Sequence, residues 1–230
     1  FEIDTDLCSK AQEALSGFSN VQIFNEDFLH VDLSQILSPF LSYSLKFVAN
    51  IPYEISSAVL LKVIQAPIYW ERLVVMVQKE FGQKLTALPG EKSRVPLSVL
   101  FQSRFFVQRS MKVARGNFQP QPRVDSVVFQ CFPHPHSLSF VSINRIHQLA
   151  QFLFKQKRKK IGNTLRSILN PEIFFHSSFA WDKRPEDLTP KEWVQLETLY
   201  NEEIKAKRAQ CFDLSKQVRK GIGKSKLNEL

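Results

Sequence analysis

Residues 72–78 enclose Leu73-Val74-Val75-Met76-Val77, five apolar side chains in a row with no Gly or Pro among them. A strand with one wet face alternates, so an unbroken run of this length predicts a strand covered on both sides. Such strands belong to sheets flanked by helices. The neighbouring segments agree. Residues 1–4, 21–24 and 45–49 predict strands, while 7–15, 56–64, 80–88 and 96–104 predict helices, the last with Pro96 in its first turn. Residues 106–113 and 124–132 predict two more strands, joined by a segment too short for a crossover helix and therefore antiparallel at one edge. The expected fold class is α/β, a mostly parallel Rossmann-like sheet.

Past a Pro/His/Ser-rich linker at 133–139 the pattern turns helical. Helices are predicted over 143–154 and 190–200, and a basic stretch at 155–160 is expected to run on as helix into 161–169. Residues 206–230 are polar and basic and predict a flexible tail. This gives a catalytic-type domain over 1–138 and a small all-α domain over 139–230. Charge divides the same way. Residues 1–140 carry 13 basic against 12 acidic side chains, whereas 141–230 carry 18 against 10, so nearly all of the formal +9 sits in the second part. That asymmetry predicts a polyanionic partner, nucleic acid before membrane. No stretch reaches the roughly 20 apolar residues of a membrane span. Cys8, Cys131 and Cys211 are far apart and the five His show no ligand spacing, so neither a disulfide frame nor a metal site is expected, and a reducing cytoplasmic setting is.

Asn50-Ile51-Pro52-Tyr53 directly follows the strand predicted at 45–49. It sets an amide, a rigid turn and a ring at the carboxyl edge of a sheet, where open α/β sheets bind ligands. Methylation of a purine amino group needs those parts. The exocyclic nitrogen is a poor nucleophile while its lone pair is delocalised into the ring. The Asn50 side-chain oxygen and the Ile51 carbonyl, aimed by Pro52, can accept its two hydrogens and localise that pair. The Tyr53 ring can stack on the base, worth about 1–3 kcal/mol. Taken alone, the tetrapeptide is more simply a strand end with a proline turn.

Other segments gain meaning in company. Glu2, in Phe1-Glu2-Ile3-Asp4, stands near a predicted strand end, where an acid can accept from ribose hydroxyls with Ile3 against an adenine face. Asp27, followed by Phe28, could accept from a cofactor adenine or simply cap a turn. Gln78-Lys79-Glu80 closes another predicted strand. Phe118-Gln119-Pro120-Gln121-Pro122 is a stiff extended segment whose ring could clamp a base opposite Tyr53 or could lie in the core. Lys155, Lys157, Arg158, Lys159 and Lys160 put five cations in six positions, with Arg166 beyond and no acid between. On a helix this single-sign run would grip phosphates.

In that order these elements resemble one family, the ribosomal RNA adenine dimethyltransferases of the bacterial small-subunit type. The matching set is Glu2-Ile3-Asp4, Asp27-Phe28-Leu29, Asn50-Ile51-Pro52-Tyr53 with Ile55-Ser56-Ser57, Val77-Gln78-Lys79-Glu80-Phe81, Phe118-x-Pro120-x-Pro122-x-Val124-Asp125-Ser126, and the basic 154–160 stretch followed by Asn163-Thr164-Leu165. The resemblance implies a Rossmann-like methyltransferase that moves methyl groups from S-adenosylmethionine to N6 of two adjacent adenines in a small-subunit rRNA hairpin loop. It implies that Glu2, Ile3, Asp27, Phe28 and Asn50 face the cofactor. Asn50, Ile51, Pro52, Tyr53 and Phe118 would form the catalytic pocket around a flipped base. Lys155, Lys157, Arg158, Lys159, Lys160 and Arg166 would hold rRNA in the immature small subunit. A monomer is expected.

Three departures go with it. The family's first strand and Gly-rich loop have no counterpart upstream of Phe1, so an N-terminally shortened sequence is expected, one that by itself binds cofactor poorly or not at all. Glu26 stands where the family has Gly, and Glu54 where it has a neutral polar residue. Two alternatives stay open: a non-catalytic rRNA-binding assembly factor, and a large-subunit rRNA adenine methyltransferase conferring antibiotic resistance.

Overall fold

The structure, a computed structural model, describes residues 1–135 and 138–206; His136, Cys211 and all of the expected tail but Ala206 lie outside the described residues. Strands β1 (Leu45–Asn50), β2 (Trp70–Gln78), β3 (Phe105–Val113) and β4 (Ser126–Pro133) form one sheet in the order β1-β2-β4-β3. β1 and β2 are parallel, and β4 is antiparallel to both β2 and β3. Three strands therefore share a direction, and β4 enters against them between β2 and β3. The register sets Asn50 opposite Met76, Gln78 opposite Ser126, and Ser126 opposite Val113. The carboxyl ends of β1, β2 and β3 and the start of β4 thus share one edge.

Helices α1 (Thr5–Ala14), α2 (Leu33–Leu37), α3 (Ser56–Gln65), α4 (Lys79–Leu85) and α5 (Pro96–Arg104) lie along the sheet portion. The Asp4 side chain caps α1 by accepting from the amides of Asp6 and Leu7. α3 has no such cap. It is held by burial of Val59, Leu60, Val63 and Ile64, at about 1.5–3 kcal/mol each against roughly 1 kcal/mol for a cap. Its carboxyl end is closed by Arg104, whose guanidinium donates to the carbonyls of Ile64, Ala66 and Ile68. Gly82 brings α4 onto β4: a Cβ there would meet Val127 Cγ1 at 2.5 Å.

The sequence expectation of a doubly covered β2 holds for one face only. Leu73, Val75 and Val77 are fully buried, but Val74 and Met76 are half-buried and Val48 on neighbouring β1 is 72% exposed. The segments 1–4 and 21–24 are not strands either. One backbone hydrogen bond joins them, from the Glu2 amide to the Phe24 carbonyl at 2.9 Å, and a ladder needs repeated pairs. The Asn25 side chain takes the Glu2 and Ile3 carbonyls instead, and Phe1 stacks on Phe24 at 4.9 Å.

A second core is built by α6 (Phe140–Phe154), α7 (Ile161–Leu165), α8 (Ile173–His176) and α9 (Pro190–Lys205) around Leu149, Leu153, Leu165, Trp193 and Leu196. Val99 of α5 belongs to this core and Ile143 of α6 to the first, so the two cores meet through α5 and α6. α9 begins with a reciprocal cap in which Thr189 accepts from the Glu192 amide and Glu192 from the Thr189 amide. The expected helix over 155–160 is absent. That stretch is a run of turns with three-residue backbone bonds, Gln156 to Leu153 and Lys159 to Gln156, ending in extended Lys160. Like charges three and four apart on a helix repel, and a loop lets each cation face solvent.

Candidate active site at the carboxyl edge of the sheet

Asn50 is the exposed last residue of β1. The ladder continues one step past it, with the buried Ile51 amide donating to the Met76 carbonyl at 3.1 Å. Pro52 (φ −55°, ψ 135°) then turns the chain into a single 3₁₀ turn, Tyr53–Ile55. The Pro52 carbonyl accepts from the Ile55 amide and the Ser56 hydroxyl. Glu54 is exposed beside it.

Tyr53 is half-buried, and its hydroxyl lies 2.7 Å from the hydroxyl of fully buried Ser126 at the head of β4. This contact ties the turn after β1 to the loop between β3 and β4. Phe118 sits in that loop, half-buried, after a 3₁₀ turn at Arg115–Asn117 and before a cis Gln119–Pro120 bond. The loop is fixed by Asp125. Its carboxylate accepts from the Arg115 amide at 3.1 Å, and its carbonyl accepts from the Lys79 amide at 3.0 Å. Between loop and α4 lies a cleft of about 400 Å³ whose lining includes Lys79, Arg115 and Arg123 with Glu80 and Asp125.

The structure thus brings Asn50, Ile51, Pro52, Tyr53 and the Phe118 loop to one edge. Asp125 and Ser126 stood in the matching set of the sequence reading but were given no part in the site there. The available signal was a Ser at the first position of an apolar strand, where a hydroxyl is buried only with a partner.

The other candidates fall on two further regions. Glu2 is half-buried and spends one carboxylate oxygen on the Asp4 amide, while Ile3 is 69% exposed. Asp27 plays its turn role, accepting from the Leu29 amide at 2.8 Å and pairing with His30 at 2.8 Å. The Phe28 ring packs between Phe1 and Phe47 at 5.5 and 5.9 Å, and so anchors the 1–28 segment to β1. The basic residues stand apart from this edge, on the second core. Among the described residues Arg158, Lys159, Lys160 and Arg166 are exposed and make no ion pair, and Lys157 reaches Glu186 only at 4.0 Å.

No group of three His, Cys, Asp or Glu among the described residues could hold a metal. Burial pushes the Cys131 thiol up to about 12, so this cysteine stays protonated and is no nucleophile.

Residues 1–202 match the family model described as Ribosomal RNA adenine dimethylase. The chain belongs to that family. Among its relatives is a ribosomal RNA small subunit methyltransferase A from Levilactobacillus brevis, 32% identical over 219 residues, spanning 88% of this chain and 73% of the relative. A dimethyladenosine transferase from Plasmodium falciparum superposes with a TM-score of 0.69 at 21% identity, over 87% of this chain and 80% of that one, which shows the shared fold. The 23S rRNA methyltransferase ErmE superposes with a TM-score of 0.61 at 25% identity, over the same shares of the two chains. The α/β sheet is therefore the Rossmann-like methyltransferase sheet of the rRNA adenine dimethyltransferases, followed by helices. Among the described residues no helix is long and apolar enough to cross a membrane.

Proposed function

We propose that this family member methylates N6 of two adjacent adenines in a small-subunit rRNA hairpin loop, giving N6,N6-dimethyladenosine during ribosome maturation in the cytoplasm. The observation that carries the reading is the Asn50–Tyr53 turn at the sheet edge, joined to the Phe118 loop through the Tyr53–Ser126 contact.

The chain's residues suit the nucleoside half of S-adenosylmethionine. Glu2 keeps one carboxylate oxygen for ribose hydroxyls, and exposed Ile3 offers an apolar surface to adenine. Asp27 keeps spare lone pairs beyond its turn bonds. When bound, the cofactor supplies an electrophilic methyl group on a sulfonium.

The work of Asn50 and Ile51 is to prepare the nucleophile. The Asn50 amide oxygen and the Ile51 carbonyl accept the two N6 hydrogens and localise the nitrogen lone pair. Tyr53 and Phe118 hold the extruded base between their rings. Positioning supplies most of the acceleration. No base is needed before attack, because the methylated nitrogen is acidic enough to lose its proton to water. A second round needs one N–H contact fewer, and the Ile51 carbonyl can release its hydrogen while Asn50 keeps the other.

Residues 139–230 hold the immature small subunit by its phosphates through Lys155, Lys157, Arg158, Lys159, Lys160 and Arg166, with the protein acting as a monomer. The likeness to ErmE favours, as a second reading, adenine methylation on large-subunit rRNA. Labelled S-adenosylmethionine offered with immature small subunits or with large-subunit rRNA separates the two. N6,N6-dimethyladenosine in the small-subunit RNA is expected. Label confined to the large-subunit RNA overturns the proposal, and binding without label favours an assembly factor.

A further inference from the structure

Phe175 is 83% exposed, far beyond the other rings of the second core. α8 is a single turn, and neighbours on a helix diverge by about 100°. Phe174 therefore turns inward, with its ring 4.6 Å from that of Trp181, while Phe175 turns out. It borders a cleft of about 740 Å³ shared with Trp181, Lys160, Asn163, Arg166 and Asp182. The walls are fixed. The Ile161 amide donates to the Lys183 carbonyl and the Gly162 amide to the Trp181 carbonyl, each at 2.9 Å. A Cβ on Gly162 would lie 3.0 Å from that Trp181 carbonyl oxygen, so a larger residue would push the two segments apart by a few tenths of an ångström. The Trp181 indole is itself held by Phe179 at 4.7 Å and by donation to the Ser177 hydroxyl.

A cleft with an exposed ring, two cations that make no ion pair among the described residues, and the 155–160 loop at its rim has the chemistry of a single-stranded nucleic acid site. We infer that this cleft takes one unpaired nucleotide of the RNA, stacked on Phe175. Lys160 and Arg166 meet the flanking phosphates. Asp182, the one acid in the lining among the described residues, accepts from the ribose 2′-hydroxyl, a group that DNA lacks. The site lies on the second core and does not use Asn50 or Tyr53. It rests on the reading of the basic region as an RNA holder, and adds to it a ring that reads an unpaired base.

The test is binding of a decauridylate RNA carrying one 4-thiouridine, a probe with no adenine for the Asn50 pocket. Wild-type protein is expected to bind with an affinity that falls as salt rises, and light-induced cross-linking is expected on the 173–176 peptide. Phe175→Ala is expected to bind roughly 5- to 150-fold more weakly, and Phe175→Trp to bind like wild type. Because Phe175 is exposed, neither change disturbs the core. If wild type binds and Phe175→Ala binds equally, or if Phe175→Trp is as weak as Phe175→Ala, the stacking site is overturned while the basic region remains an RNA holder. If wild-type protein shows no salt-dependent binding, the RNA-holding reading fails with it.

Discussion

The hydroxyl of Tyr53 lies 2.7 Å from that of Ser126, and Ser126 has no exposed surface. A side chain at the tip of one edge loop is thereby pinned to the first residue of an interior strand. This fixes where the Tyr53 ring can stand relative to the Phe118 loop. Ser126→Ala removes the pin without touching the ring. One neutral hydrogen bond is worth about 0.5–1.5 kcal/mol, so methyl transfer is expected to slow by roughly 2- to 10-fold in kcat. Tyr53→Phe should give the same loss, and the double variant no more than either alone. Additive losses would mean that the two hydroxyls act separately.

Arg104 closes the carboxyl end of α3 by donating to three carbonyls, and burial lowers its pKa to about 10. Arg104→Met leaves those carbonyls without their partner and should cost about 2–4 kcal/mol in urea unfolding. Arg104→Lys should recover little, because an ammonium cannot reach all three as the planar fork does. Full recovery by Lys would assign the effect to charge alone.

His147 links α6 to α3. The Gln65 side-chain nitrogen donates to Asn144 Oδ1 at 2.9 Å and lies 3.2 Å from His147 Nδ1, which therefore accepts. Burial lowers the His147 pKa from its ordinary 6.5. The unfolded chain then binds a proton that the folded chain resists. Its contribution is complete above pH 6.5 and is lost as pH falls below it. Between pH 7.5 and 5.5 the wild type should lose more urea stability than His147→Gln, by up to about 1.4 kcal/mol per pH unit below 6.5. Equal losses would remove His147 as the cause.

Arg158 and Lys159 face solvent in the loop after α6. Exchanging both for Gln should flatten the salt dependence of RNA binding by about one unit of log–log slope per side chain, and lower affinity for all sequences alike. An unchanged slope would place the phosphate contacts elsewhere.

Much of this was legible in the sequence, and for definite reasons. The run at 73–77 marked β2, and Pro96 marked the start of α5 where the structure has it. The local structure of Asn50-Ile51-Pro52-Tyr53 was legible because a strand end, a turn and a ring follow one another in the chain. Three features were not. The segments 1–4 and 21–24 have the composition of strands, but strand identity depends on a partner, and only one backbone bond joins them. The basic stretch 155–160 has good helix formers, yet its mutual repulsion and the two backbone bonds that tie 161–162 to 181–183 end the helix at Phe154. Ser126 acquires its role from a tyrosine 73 residues away, a relation no local pattern encodes.

The most direct test is the amount of N6,N6-dimethyladenosine, read by mass spectrometry, in small-subunit rRNA treated with S-adenosylmethionine and either wild-type protein or Asn50→Ala. Asn50 is exposed at a strand end, so its replacement leaves the fold intact. By comparison with other preorganised polar groups at reacting centres, its loss should lower the yield about 100-fold or more. Wild-type levels of the dimethylated base from Asn50→Ala would contradict the role given to the Asn50 amide.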